Sequence, residues 1–233
     1  MRPIDADALE KALEDWVRDH WTDAFTGDDA GSEFADMIDR EETIDTDPAA
    51  RVKHITEVET ENPKIGDQIS VDHYTATCQT VTPKGALFLM NQYLDKCYPM
   101  NVKNTNRGGY EKSYLRKVLQ SEEVLNIFKD IRDRMVPFKN GDLLRIPFAG
   151  EMFGDDDLSR WIEPDVHMQW ELMRNRGNRL ASRCGVNELG WLQNRYKMSS
   201  NLFCTVNNGQ VFNWDASTAL GVRLVFMIKE EER

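Results

Sequence analysis

The sequence is poor in the side chains that bind metals or act as nucleophiles. Among 233 residues there are four cysteines and four histidines. No Cys-x-x-Cys pair and no Cys/His spacing typical of a zinc site occurs. The pattern favours buried free thiols and predicts neither a metal centre nor a resident cofactor. The residues concerned are Cys78, Cys97, Cys184, Cys204, His20, His54, His73 and His167.

The chain also lacks long apolar runs. No stretch approaches the roughly 18 to 20 consecutive apolar residues that a membrane-spanning helix needs. The first residues, MRPIDADALEKALEDW, are acidic and lack the basic and apolar regions of a secretory signal. We therefore expect neither a membrane anchor nor secretion through a cleaved signal.

Positive charge is scarce in the first 50 residues. That segment holds 16 Asp and Glu residues but four Lys and Arg residues, a net charge of -12. Residues 51–233 hold 24 acidic and 25 basic residues, a net charge of +1. An acidic arm repels phosphates, and the remainder has no dense Lys/Arg stripe. The charge pattern therefore argues against nucleic-acid binding.

Two parts of the chain differ in pattern as well as in charge. Apolar residues recur at helical spacing over 4–18, after the possible cap Asp5, and again over 32–40. Residues 43–50 have the composition of a linker. The sequence thus predicts an acidic helical leader over 1–50 and a main domain over 51–233.

The first half of the main domain predicts strands followed by helices. β-branched residues over 51–81 and the apolar run ALFLMNQYL are typical of strands, the second one buried. Ser113 can cap a helix, and a second helix is predicted over 122–135. Beyond these, the pattern predicts a short strand at 143–146, a helical turn at 148–153 and a helix over 166–176.

The last part of the chain is rich in predicted strands. One strand begins at Trp191, and two more, at 202–206 and 210–214, flank an Asn-Gly step typical of a tight hairpin. The continuous apolar run at 222–228 predicts a central strand that is buried on both faces.

Several short motifs follow one another between about residues 64 and 228. They are Tyr110, Ser113, Leu115, Arg116 and Leu119; Glu151 to Gly154; Gly190 to Arg195; Phe203 to Asn207 with Gly209; and Ala216, Ser217, Gly221, Val222 and Arg223. In this order they resemble a bacterial and phage domain family of unknown function. Its members carry Y-x-x-S-x-[IL]-R-x-x-L, VFG-like, WWLRSP-like and FCxVNxxGxVxxxxAsxxxGVRPAF segments.

This resemblance implies an α+β domain with a C-type-lectin-like fold. Such a domain has two main helices, a pair of small antiparallel sheets and long loops on one face. The fold is similar to that of sulfatase-modifying, formylglycine-generating oxidases and of receptor-binding proteins that phage retroelements diversify. The leader also resembles leaders of small proteins from Gram-positive bacteria and their phages. From this resemblance, together with the lack of a signal peptide, we expect a bacterial cytoplasm or a phage particle as the location.

Two departures from the family pattern stand out. The family's Leu-Arg-Ser-Pro is Leu192-Gln193-Asn194-Arg195 in this chain, so the role of that family arginine does not transfer. The proline of the final motif is replaced by Leu224, which indicates a more regular last strand.

The segment before the last strand is rich in amide, hydroxyl and aromatic side chains. Alternation along 201–206 would turn Phe203 and Thr205 outward, and Phe212 and Trp214 would share a face of the partner strand. These residue types suit an adaptable recognition surface, but they also suit an ordinary hairpin. The predicted ligand-binding residues are Arg195, Tyr196, Asn201, Phe203, Thr205, Asn207, Asn208, Gln210, Phe212, Asn213, Trp214, Asp215 and Ser217.

Two charged clusters are weaker candidates. Asp155 to Asp157, Glu163 and Asp165 supply the carboxylates that calcium prefers, but without EF-hand spacing, and a solvated loop is the alternative. The basic segment at 173–183 suits either a phosphate contact or pairing with nearby carboxylates.

These observations lead to three hypotheses. The first is a non-enzymatic domain that binds a protein or a glycan, in a phage or prophage setting, with the leader docking a partner or driving self-association. The second is an enzyme related to the formylglycine-generating oxidases, although Cys184 and Cys204 do not match the spacing of their paired cysteines, and Cys204 is expected to face the core. The third is a structural phage component that assembles through the leader.

The leader's role in assembly is directly testable. If its amphipathic helices drive self-association, light scattering should give a multiple of the single-chain mass for the full chain. Residues 51–233 alone should then give the mass of one chain. The same association state for both forms would contradict this role.

Overall fold

The computed structural model of the chain describes residues 52–53, 63–154, 160–165 and 167–229. The predicted leader over 1–50 and the acidic run Asp155 to Asp157 lie outside these residues. Within the described part, no helix combines the length and hydrophobicity needed to cross a bilayer.

The described part is an α+β domain of short helices and small, mainly antiparallel sheets. The strands are β1 Val52–Lys53, β2 Gln68–Val71, β3 Tyr74–Thr82, β4 Gly85–Met90, β5 Tyr98–Pro99, β6 Ser182–Arg183, β7 Val186–Asn187, β8 Gly190–Arg195, β9 Leu202–Asn207, β10 Gln210–Asp215, β11 Ala219–Leu220 and β12 Val225–Ile228. The α-helices are α1 Tyr114–Leu119, α2 Glu122–Leu125, α3 Ala149–Phe153 and α4 Arg176–Arg179. Turns of 3-10 helix lie at Tyr110–Lys112, Asn126–Phe128, Arg132–Arg134 and Glu171–Arg174.

The larger sheet has the strand order β1-β2-β3-β4-β12. β1 pairs with β2 in parallel, and the remaining neighbours are antiparallel. All six residues of β4 are buried, as the apolar run predicted. Phe88 belongs to one apolar cluster and Leu89 to another, so this strand separates two cores.

The last strand differs from its prediction in extent and position. It begins at Val225 and not at residue 222, and it ends the order of the sheet instead of occupying its centre. The Val222 carbonyl bonds to the Leu94 amide, which keeps this stretch out of the sheet. β12 is nevertheless largely buried, because Met135 and Arg145 form bridges to its outer side. In place of the predicted strand at 143–146, the structure has the single bridge between Arg145 and Val225.

The smaller sheet has the order β10-β9-β8, with β9 in the centre. Phe203 lies in the core cluster that also contains Phe88, whereas Cys204 and Val206 lie in the other cluster. Both faces of β9 are therefore covered by apolar side chains.

The helices of the described residues are shorter than the sequence predicts, and the longest of them, α1, has six residues. Ser113 does cap α1, since its Oγ accepts a hydrogen bond from the Arg116 amide at 3.0 Å. The predicted helix over 122–135 breaks into α2 and isolated turns. Of the predicted helix over 166–176, the described residues 167–170 are not helical, because the Trp170 amide bonds to the Glu151 carbonyl, and Glu171–Arg174 form a turn of 3-10 helix.

A buried arginine joins α4 to the larger sheet. Arg223 donates from Nε to the Met90 carbonyl at 2.6 Å and from Nη1 to the Asn178 carbonyl at 3.0 Å. Burial lowers the pKa of Arg223 to about 10. Removing the guanidinium would leave the buried Met90 carbonyl without this donor and would break the bond to the Asn178 carbonyl.

We expect Arg223→Met to lower the free energy of unfolding by about 2–4 kcal/mol. The lost hydrogen bonds connect segments distant in sequence, so packing of the methionine side chain cannot replace them. Urea denaturation measures the change, with the exposed Lys84→Met as the matched control. A midpoint equal to that of the control would show that Arg223 does not hold these segments together.

Candidate ligand-binding surface

A two-residue turn joins β9 to β10, as the Asn-Gly step predicted. Asn208 and Gly209 have positive φ values of 48° and 68°, the conformation of the tight hairpin turn. A Cβ on Gly209 would lie 2.7 Å from Cγ of Arg176. The Nε of Arg176 donates to the Asn208 carbonyl at 3.0 Å, so the turn is held from outside.

Strand β10 lies at the edge of its sheet. A two-residue turn makes Asn207 and Gln210 the first hydrogen-bonded pair, and alternation directs the backbone groups of Val211 and Asn213 away from β9. Within the described residues, no strand or bridge pairs with this outer side. The edge therefore presents unpaired N–H and C=O groups.

Two aromatic rings project from β10 into solvent. Phe212 is 48% exposed and Trp214 is 38% exposed. Their ring centroids are 6.2 Å apart. Gln210, on the same face, is exposed as well. This arrangement agrees with the prediction that Phe212 and Trp214 share a face of the strand.

Phe212 also borders a groove of about 260 Å³. We call it the aromatic groove, and it is lined by Trp161, Ile162, Tyr196, Val211, Phe212 and Asn213. Trp161, which is 49% exposed, was not among the predicted site residues. Its carbonyl accepts from the Lys197 amide at 2.8 Å, and Ile162 forms a bridge with Tyr196. The segment that carries Trp161 is thus attached to the end of β8.

Two predicted ligand-binding residues are in the interior instead. Phe203 and Thr205 are fully buried, so the prediction that they face outward is wrong. The alternation itself is correct, but both faces of β9 are covered. Phe203 packs edge-on against Trp191, with ring centroids 6.4 Å apart.

The other predicted residues lie around the hairpin. Asp215 Oδ1 accepts from Asn201 Nδ2 at 2.7 Å and from Asn104 Nδ2 at 3.0 Å, which fixes the loops beside Trp214. Ser217 is exposed. Asn207 and Asn208 border a separate cleft that contains Cys97. The predicted residues thus form several surfaces rather than one.

Arg195 belongs to a second, more polar cleft of about 470 Å³. We call it the polar cleft, and it is lined by Gly108, Gly109, Tyr110, Glu111, Lys112, Phe148, Glu163, Pro164, Asp165, Gln193, Asn194 and Arg195. Nε and Nη2 of Arg195 donate to the Glu163 carboxylate at 2.8 and 2.5 Å. These hydrogen bonds lower the pKa of Glu163.

Asp165 is tied into the wall of the polar cleft. It accepts hydrogen bonds from the Gly150 amide at 2.9 Å, from Asn194 Nδ2 at 2.8 Å and from His167 Nδ1 at 3.2 Å. Burial, the largest single influence, raises the pKa of Asp165, but the hydrogen bonds together lower it to about 2. The carboxylate therefore has a positioning role in the wall.

Asp155 to Asp157, the main part of the calcium candidate, lie outside the described residues. Among the residues that the structure does describe, no group of three or more His, Cys, Asp or Glu side chains could hold a metal ion. The four cysteines are free thiols. Burial raises the pKa of Cys204 to about 12, which disfavours the thiolate that a redox-active cysteine needs.

Comparisons with known proteins identify no relative. No protein-family model, curated protein or solved structure matches this chain significantly. The functional interpretation therefore depends on the geometry of the site and on the motif resemblance.

The low pKa of Asp165 makes stability depend on pH. Its folded-state pKa of about 2 lies below the ordinary value of 3.8, so its contribution is present above pH 3.8 and is lost as the pH falls through 2. Between these pH values we expect the parent protein to lose about 1–2 kcal/mol more stability than Asp165→Asn. Urea denaturation at both pH values tests this, with the exposed Asp130→Asn as control. Equal losses in parent and Asp165→Asn would contradict the assignment.

Proposed function

We propose that this chain is a non-enzymatic binding domain of C-type-lectin-like fold that recognises a protein or a glycan through its aromatic groove. The observation that carries this proposal is the exposure of Trp161, Phe212 and Trp214 around one edge of the smaller sheet. The phage or prophage setting comes from the motif resemblance alone.

Exposed aromatic rings of this kind favour binding. Each ring offers a large apolar area with few rotatable bonds, and burial is worth roughly 25 cal/mol per Å² removed from water. Scattered single apolar residues are common on protein surfaces, but a contiguous group beside a groove is typical of an interaction site. Here Trp161 and Phe212 line the groove, and the ring of Trp214 lies next to Phe212, with 6.2 Å between the centroids.

The surface is also held rigidly before any ligand arrives. β10 is fixed through β9, which is buried on both faces, and through the contact of Arg176 with the turn. A preorganised surface loses less conformational entropy on binding. Asn213 and Gln210 lie beside the rings and supply amide hydrogen bonds, as adaptable recognition surfaces do.

Both ligand classes suit this chemistry. A glycan can place the C–H face of a sugar ring on an aromatic side chain and bond its hydroxyls to Asn213. An extended peptide can pair with the free backbone edge at Val211 and Asn213 while a side chain enters the groove. A binding screen therefore has to include both cell-surface proteins and cell-surface glycans.

The C-type-lectin-like part of the proposal comes from the motif resemblance, and the described α+β arrangement is compatible with it. The described residues form a five-stranded sheet, a three-stranded sheet and two two-stranded sheets, and β12 returns to pair with the early strand β4. The described residues between α3 and the turn at Glu171–Arg174, which include Trp161, belong to no α-helix or strand. The shortness of the helices departs from what the resemblance implies.

Phe212→Ala and Trp214→Ala are expected to weaken binding of any protein or glycan found in such a screen by about tenfold or more each. Because both rings are exposed, the melting temperature should change little. Tyr114→Ala is the matched control, since Tyr114 is 39% exposed and lies on α1. A ligand whose affinity is unchanged by both substitutions would refute the aromatic groove as its site.

A further inference from the structure

We propose that the polar cleft is a second, independent binding site, which takes a neutral polyhydroxylated ligand such as a sugar. The cleft lies between the end of β8, the segment 163–165 and the loop 108–112. It contains Gln193 and Asn194, which interrupt the apolar character of β8 with buried amides.

The side-chain amide of Gln193 is hydrogen-bonded within the protein through its nitrogen but not through its oxygen. The residue is 6% exposed, and its Nε2 donates to the Ile146 carbonyl at 2.6 Å. This bond fixes which end of the amide is nitrogen. Within the described part of the chain, its Oε1 accepts no hydrogen bond, and this oxygen is accessible to solvent. A fixed, unpaired acceptor therefore faces the cleft.

Polar side chains of buried residues usually have protein partners at both ends. Gln193 Oε1 has none among the described residues but stays open to solvent, so a ligand O–H or N–H can replace water at this atom. The neighbouring amide of Asn194 shows the common case, since its Oδ1 accepts from the Ala149 amide and its Nδ2 donates to Asp165. A ligand O–H or N–H directed at Gln193 Oε1 would give this amide a hydrogen bond at its oxygen as well.

The charges that line the polar cleft balance, which favours a neutral ligand: besides the pair of Arg195 with Glu163, the wall carries Lys112 and Asp165, one charge of each sign. Arg195 and Glu163 already neutralise one another through two hydrogen bonds. At the rim, Glu111 pairs with Arg116 at 2.9 Å. A guanidinium has five N–H groups, so those of Arg195 outside the two bonds to Glu163 can donate to a ligand oxygen without breaking the pair.

A ligand that suits these walls must both donate and accept hydrogen bonds and must have an apolar face. Donation is needed at Gln193 Oε1 and acceptance at Arg195, which a single hydroxyl-bearing ring provides. Phe148 and Pro164 supply carbon surfaces on the same cleft for the C–H groups of such a ring. Gly109, with φ of 63°, keeps the opposite wall free of a side chain next to Arg195.

Titration of isotope-labelled full-length protein with neutral sugars tests this site. The probes are the methyl glycosides of glucose, galactose and mannose, and N-acetylglucosamine, with inorganic phosphate as the charged comparison. At least one sugar should shift the Gln193 side-chain amide resonances in a saturable manner, whereas phosphate should not. Pro164→Trp, which fills the cleft from an exposed position, should weaken binding by about tenfold or more. The matched control Pro137→Trp, exposed and outside the cleft, should leave binding unchanged.

Two further variants separate this site from the aromatic groove. Gln193→Met removes the acceptor and should weaken sugar binding by about tenfold; if it fails to fold, Pro164→Trp still decides. Phe212→Ala should leave binding at the polar cleft unchanged. The proposal is overturned if none of the four sugars shifts the Gln193 amide, or if sugar binding survives Pro164→Trp. It is also overturned if the shifts disappear in Phe212→Ala, which would assign the sugar to the aromatic groove.

Discussion

The burial of strand β9 on both faces determines which residues remain available for recognition. Phe203 and Thr205 face one interior and Cys204 and Val206 face the other. With both faces covered and a neighbouring strand on each side, the four central residues of β9 are buried, and only its ends, Leu202 and Asn207, are partly exposed. Its rigidity is transmitted through the ladder to β10, whose outer side is open and whose aromatic side chains reach solvent. Recognition thus depends on a strand that contributes no contact of its own.

Chemically similar residues have different roles in this arrangement. Trp191 and Phe203 fill the core, whereas Trp161 and Phe212 border the aromatic groove. The same division applies to amides, since Asn194 is fully hydrogen-bonded inside the wall while Gln193 presents an open acceptor to the polar cleft. The 161–165 segment contributes to both sites, with Trp161 in one and Glu163 in the other. The aromatic groove and the polar cleft, which differ in polarity, therefore share the 161–165 segment.

The sequence predicted local features well where neighbouring residues determine them. The Asn208-Gly209 turn and the Ser113 cap are confirmed, because turn geometry and capping depend on a few adjacent side chains. Exposure along β9 was predicted wrongly, since alternation defines two faces but not what covers each of them. Trp161 was missed because its position depends on pairing with the end of β8, far along the chain. The helix over 166–176 failed for a similar reason, as the Trp170 amide bonds to the distant Glu151 carbonyl.

Amide hydrogen exchange, measured residue by residue on the free protein, tests the central relation between β9 and β10 most directly. The amides from Phe203 to Val206 should be among the slowest to exchange, because they lie in a ladder between two covered faces. Along β10 the rates should alternate, with Phe212 protected by its bond to β9 and Val211 and Asn213 exchanging faster. Protection of Val211 and Asn213 equal to that of Phe212 would show that the edge is covered. Fast exchange throughout β9 would contradict its role as the rigid support.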